Sequence, residues 1–420
     1  MASPASTKSY SVRAVACDYR SSDEAVYQAL ERAAGPLETA WSRLAGARRI
    51  GIKINQDWSP DRVVMYQGQR QQLVSDAVTR AVIRLLRERT TAEIFVIDIG
   101  VEGPPPGMTR LDCTNILPVL REMDVPFIDG NQEPVVWLPV PGGGQAFARY
   151  PVAQACAQAD AMVSVQKLKN HGFMGVTLTT KNLFGLMPLS KAGGRPRHYY
   201  HHLVRMPYML ADQARIYHPA LNIIDGMVTQ AGEEWGKGEA PRIANLLIAG
   251  DEGIATDACA ATLMGHDPQA DWPTPPFHRD RNHLKVAVEG GLGTLDLSQI
   301  DFQSEAQAPV GEFFSKETDS PETVESWLRT TAEQGLFYRD HQKELVGRYA
   351  GRYILLQMGE VRWSGPTGDL PVSRRKLSGD HPEQGMWLKY VDPDETEGEH
   401  FEIYEQTLKM INAVKNRARG

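Results

Sequence analysis

The stretch AMVSVQKLKNHGFMGVTLTTKNLFG, from Ala161 to Gly185, decides the fold. In an extended chain Val163, Val165, Lys167, Lys169 and His171 share one face, so an apolar strand runs into a cationic tip with period two. The turn after it carries Gly172 and Gly175, and the pattern then becomes helical from about Val176. Strand, turn and helix in that order, with the chemistry at the carboxyl end of the strand, are the unit of a parallel α/β sheet.

The flanking sequence repeats this unit. Upstream, SYSVRAVAC alternates as a strand, and SSDEAVYQALERAAGPLETAWSRL follows Ser22, placed to cap a helix. RRIGIKIN is a buried strand. The segment QQLVSDAVTRAVIRLLRER puts Val74, Val78, Ala81, Val82 and Leu85 on one helical face, and AEIFVIDIG closes a β-α-β-α-β order. Downstream, ALNIIDGM and ANLLIAGD are strands and IATDACAATLMG a packed helix, with Asp225 at a strand end. The expected fold is α/β, with mostly parallel sheets flanked by helices in two halves, residues 1–150 and 151–302. A Pro/Gly-rich excursion at 104–144 leads into a hairpin around the GGG of EPVVWLPVPGGGQAFARYPV. Residues 303–335 are expected as a solvated helical linker and 336–420 as a small, separate α+β module. In that module GRYILLQMGEVRWSG forms a hairpin and the acidic run DPDETEGEHFE a solvated loop.

Composition restricts the function. With 420 residues, 42% of them hydrophobic, the chain can bury several cores, and a net charge of -7 argues against nucleic acid or an anionic membrane as partner. The N-terminal residues lack a signal-peptide pattern and no apolar run reaches membrane-spanning length, so a cytoplasmic location is expected. Cys17, Cys113, Cys156 and Cys259 are scattered without metal or redox spacing and are expected as core thiols.

Against that acidic background, residues 160–205 carry Lys167, Lys169, Lys181, Lys191, Arg195, Arg197 and Arg205 but only one acid, Asp160. Lysines beside a helix start are a setting for an anion. Lys167, Lys169, Thr177 and Asn182, with Lys53 and Asn55 of GIKIN and His201, are therefore expected to bind it; His171 and Lys181 are expected to move protons, completed by Asp225. Asp57, Asp98, Glu233, Glu234, Asp251 and Asp257 are further carboxylates in reach of such a site. No cofactor motif is evident. His198 and His202, four apart, leave a divalent metal as an open alternative.

The blocks GIKIN, KLKNHGFMGVTLTTKNLFGLMP with Lys191 and His201 after it, IIDGM and AGDEGIATDACAATLMGHDP together resemble the family catalogued as domain of unknown function 362, over about residues 45–300. The resemblance implies an α/β fold with a cationic site and brings no general reaction. Some relatives carry ferredoxin-like cysteine clusters, which this sequence lacks, so electron transfer through a cluster of its own is not implied. The residues suit a non-redox enzyme that binds a small carboxylate or phosphate metabolite and performs an isomerisation, an elimination or a related lyase step. A non-catalytic binding or accessory protein, or a redox accessory protein using an external cofactor, is the alternative, and self-association is left open.

Overall fold

The computed structural model describes residues 9–56, 58–99, 104–232 and 240–419, so Asp57, Glu233 and Glu234 lie outside the described residues. The central sheet uses β1 (Tyr10–Ala16), β2 (Arg49–Ile54), β3 (Glu93–Asp98), β4 (Phe127–Asp129), β5 (Ala161–His171), β6 (Leu221–Gln230), β7 (Pro241–Gly250) and β8 (Ile300–Ser304). Their order is β8-β1-β7-β6-β5-β2-β3-β4. Every neighbouring pair is parallel except the two made by β7, so the sheet is mostly parallel, as expected.

Strands from both expected halves meet in this one sheet. The reason is the route of the first strand: β1 inserts between β7 and β8, pairing Val12 with Gly250 on one side and with Phe302 on the other. The strand through IIDGM also differs from expectation. It does not end at Asp225 but continues to Gln230 through an irregularity between Gly226 and Val228.

Two helices cover one face. Ser22 accepts from the Ala25 amide to start α1 (Asp23–Ala34), and Ser75 from the Val78 amide to start α2 (Asp76–Arg89). Their apolar stripes pack on Val163, Val165, Ile223, Leu247 and Ala249, all of odd parity. On the opposite face Leu168, Ile224 and Ile248 meet Ala255 and Cys259. The four cysteines are buried and form no disulfide among the described residues, and burial pushes the thiols of Cys156 and Cys259 up to about 12, as inert core groups. The expected hairpin is present, Val135–Pro139 against Arg149–Ala153, with Gly142, Gly143 and Gly144 all in the left-handed region.

Within the sheet's carboxyl edge, β5 is followed by the short helix α3 (Leu178–Asn182), and the far end of β6 and β7 by α4 (Gly253–Leu263). The C-terminal residues form α5 (Pro321–Asp340), an antiparallel sheet of β9 (Tyr353–Gln357), β10 (Glu360–Gly365) and β11 (Trp387–Tyr390), and α6 (Glu402–Arg419). The expected hairpin closes through Met358 and Gly359, both at positive φ, the pairing that a two-residue turn needs. Two expectations fail here. α5 is neither a linker nor solvated on all sides, because Val324, Leu328, Ala332 and Tyr338 are buried in the same apolar cluster as Trp387 and Tyr404. Nor does this region stand apart, since that cluster continues without a break into Phe147, Tyr199, Tyr200 and Met206 of the preceding α/β portion.

The acidic run is the joint between them rather than a solvated loop. Glu397 accepts from Arg195 at 3.0 Å and from the hydroxyls of Tyr199 and Tyr200. Glu399 accepts from Arg205 Nε at 2.8 Å, Lys389 Nζ at 3.0 Å and the Tyr404 hydroxyl at 2.6 Å. Carboxylates with this many charged and hydroxyl donors can be buried, because each lone pair lost from water is replaced.

Candidate functional site

The local surplus of positive charge resolves into paired and cleft-lining groups. Arg195 and Arg205 belong to the joint just described. Lys167 Nζ lies 2.8 Å from Asp225 Oδ2, both side chains buried, and Asp225 also accepts the amides of Ser75 and Met227. Burial pulls Lys167 below the usual lysine range, and Asp225 opposes that fall. This pair therefore ties β5 and β6 to the start of α2. Lys53 makes a second buried pair, 2.8 Å from Asp98 Oδ2.

A cleft opens at the carboxyl ends of β2, β3 and β5, where a parallel sheet places its ligands. It holds about 610 Å³ counting its mouth, and six of the expected residues line it: Lys53, Asn55, Lys169, Thr177, Lys181 and Asn182. Lys53 is 2% exposed, Lys169 1% and Lys181 6%. Lys169 donates to Asn55 Oδ1 at 3.1 Å and to the Gln72 carbonyl at 2.9 Å. Lys181 Nζ stands 5.6 Å from the centre of the Phe184 ring, and the Arg197 guanidinium 4.8 Å from the same centre. Arg197, also in the lining, has no carboxylate within 4.0 Å among the described residues.

Three local devices hold this wall in place. Asn182 donates to the Lys53 and Val165 carbonyls and to Ser164 Oγ, pinning α3 across β2 and β5. Gly185 is required by close approach, because a Cβ there would stand 2.4 Å from Lys53 Cε and 3.2 Å from Asp98 Oδ1. The third corrects an expectation: the start of α3 does not offer its amides to a ligand. Asp257 of α4 already accepts from Thr179 N, Thr180 N and the Thr179 hydroxyl, at 2.8, 2.8 and 2.6 Å. Burial raises that carboxyl to about 6. The protein's own anion occupies the helix start.

Lys167, His171, His201 and Asp225 are not in the cleft lining. Lys167 and Asp225 point to the α2 side, each satisfying the other. His171 Nδ1 accepts from the amides of Phe173 and Met174, which assigns the ring proton to Nε2. The ring of His171 lies 6.1 Å from that of His201, which in turn stands edge-on to Phe184 at 5.6 Å. Burial, and then the positive charge of Lys181, hold His201 well below the usual histidine range, so it is neutral. His198 Nε2 donates to the Gly368 carbonyl and His202 Nδ1 to the Leu203 carbonyl. Among the described residues no three His, Cys, Asp or Glu side chains are grouped to hold a metal ion.

Sequence reasoning passed over Trp58, Gln72, Gln166 and the cleft position of Arg197. Arg197 carried a signal, a cation two residues from the buried Arg195 in a segment with no acid. Asp257, counted in the sequence among carboxylates for the site, holds the start of α3 instead, and its signal was a lone carboxylate in the otherwise apolar helix IATDACAATLMG.

Fold and site together define an α/β protein with a cation-lined cleft at the carboxyl edge of a mostly parallel sheet. The chain belongs to the family described as domain of unknown function DUF362, whose model matches residues 50–262. It is similar to the thylakoid-associated protein sll1697 of Synechocystis sp., with 26% identity over 209 residues, 47% of this chain and 59% of that protein. The chain thus spans less than two thirds of that relative's length. Among solved structures, the lactate racemase apoprotein of Thermoanaerobacterium thermosaccharolyticum is 14% identical, with a TM-score of 0.35, covering 55% of this chain and 52% of that one. Among the described residues no helix is long and apolar enough to cross a membrane.

Proposed function

We propose that this chain is an enzyme that binds a small carboxylate or phosphate monoester in the cleft and moves a proton on it, as in an isomerisation or elimination. The observation that carries this reading is convergence: Lys53, Lys169, Lys181 and Arg197 arrive from three separate segments to line one cleft with a single carboxylate, Asp98, among the described lining residues. Fixed cations in a partly dry site favour an anion and the negative charge that grows when a neighbouring C–H bond loses its proton. Lys169 and Arg197 take the binding role. Lys181, held against Phe184 by the Asn182 pin, takes the proton-transfer role. Lys53 is the positioning residue, fixed by Asp98.

The test is solvent exchange. Small hydroxy-, keto- and phospho-carboxylates are incubated with the intact chain in D2O, and loss of C–H signals is followed by proton NMR, beside calorimetry for binding. The reading expects at least one member to bind and exchange, with Lys181→Met keeping the binding and losing the exchange. Binding with no exchange throughout would make this a binding protein, and absence of binding would remove the anion site altogether.

A further inference from the structure

A second, larger cleft lies between the α/β portion and the C-terminal region, and the function proposed above makes no use of it. It holds about 1420 Å³ counting its mouth. One wall comes from Phe173, His201, Leu203 and Arg279, and the other from Trp327 and Thr331 of α5 with Arg374, Arg375 and Met386. Its charges are unevenly satisfied. Arg279 is neutralised by Asp319 at 2.9 Å, and Glu383 faces His381 at 3.4 Å. Arg374 donates only to the His198 carbonyl, at 2.8 Å, and neither Arg374 nor Arg375 has a carboxylate within 4.0 Å among the described residues. Burial, with the charge of Arg205 added, lowers Arg374 to about 10, as expected for a guanidinium set in a wall without a counter-ion.

Two donors lining the cleft, one in each wall, are also unanswered. The Thr331 hydroxyl, on a side chain only 1% exposed, has no hydrogen-bond partner among the described residues, and neither has Arg279 Nε. Buried donors are normally paired, so a cleft that leaves two of them open and carries two uncompensated guanidinium groups is built for something that accepts. Apolar groups share the lining: Phe173 and Trp327 both lie 5.5 Å from the Arg279 guanidinium, and Leu203 and Met386 line the cleft with them.

From this arrangement we infer that the second cleft is a binding site for an organic anion, a carboxylate or phosphate carried on an aromatic or branched apolar body. The anionic group sits on Arg374 and Arg375 with the Thr331 hydroxyl, and the body lies against Trp327 and Phe173. Because the cleft exists only where the C-terminal region meets the α/β portion, the joint formed by Glu397 and Glu399 is what completes it. His201 belongs to its wall and also touches Phe184 of the first cleft, so the two sites share one partition. The inference does not depend on the first cleft being catalytic.

Calorimetry on the intact chain with phenyl phosphate, benzoate and inorganic phosphate tests it. Phenyl phosphate or benzoate is expected to bind, the stronger of the two naming the anionic group, and inorganic phosphate at least tenfold more weakly. Arg374→Gln is expected to weaken the organic anion at least tenfold. Arg375→Gln, on an exposed side chain, is expected to weaken it several-fold, and to do so equally in a chain that also carries Arg197→Gln, which removes the contribution of the first cleft. No binding of either organic anion at millimolar concentration overturns the inference, as does binding that is lost in Arg197→Gln but kept in the folded Arg375→Gln chain.

Discussion

Arg205 Nε and Glu399 Oε1 meet at 2.8 Å with both side chains fully buried, joining residues far apart in the chain. Lys389 shares the same carboxylate. Glu399→Gln keeps the shape and removes the charge, leaving Arg205 buried against a neutral acceptor and Lys389 with Glu395 alone among the described residues, at 3.5 Å. Breaking one side of such a network costs about 3–5 kcal/mol. The expected result is a large drop in the urea midpoint, with the C-terminal region becoming protease-sensitive before the sheet does. An unchanged midpoint would mean that the network is not a structural joint.

Gly185 and Gly347 make a matched pair. A methyl group at Gly185 would enter the space of Lys53 Cε at 2.4 Å, whereas at Gly347, in the helix Gln342–Tyr349, it meets nothing within 4 Å. Gly185→Ala is expected to cost about 1–3 kcal/mol by overpacking and to push Lys53 off Asp98, weakening anion binding. Gly347→Ala is expected to gain roughly 0.4–1 kcal/mol and leave binding untouched. Thermal melts and calorimetry of the two variants side by side check both statements, and equal effects would contradict the close-approach argument.

What the sequence made legible follows from the range of each interaction. The strand from Ala161 to His171 and the cap at Ser22 are local, and both appear in the structure as read. The six cleft residues from two short motifs were readable because strand ends gather at one edge of a parallel sheet. The partners of the cations were not readable. Lys167 finds Asp225 on a neighbouring strand, and Arg205 finds Glu399 in the C-terminal region, pairings set by tertiary packing that leave no periodic trace. For the same reason the acidic run looked solvated and the helix of Pro321–Asp340 looked like a linker, although its buried side already held Val324 and Leu328.

Asp257 decides the position of Lys181 from below. Asp257→Ala leaves the buried amides of Thr179 and Thr180 without an acceptor, and each orphaned donor costs about 1–3 kcal/mol. The expected loss is roughly 2–4 kcal/mol, with Asp257→Asn losing less because one oxygen remains. If α3 is held chiefly by Asp257, anion binding in the first cleft falls in the same order, since Lys181 lies one residue beyond Thr180. Stability lost with affinity retained would show that Asn182 alone fixes the lysine.

Stability against pH should show two opposed contributions. Burial raises Glu252 and Asp280 to about 7 and Asp257 to about 6, so the folded chain keeps protons that the unfolded chain releases near pH 4. Their contribution is complete below about pH 4 and is lost as the pH rises through 6 and 7. His283 works the other way. It is fully buried, neither ring nitrogen has a hydrogen-bond partner among the described residues, and burial with the charges of His171 and Lys181 lowers it to about 3. Its contribution is complete above about pH 6.5 and is lost as the pH falls toward 3. His283→Phe is therefore expected to remove a rise with pH of about 1.4 kcal/mol per unit below pH 6, so that the variant gains stability relative to the parent as the pH falls, read from urea midpoints at pH 5, 6 and 7. Parallel profiles for the variant and the parent would mean that His283 takes up its proton in the folded chain, and the apolar setting argued for it would be wrong.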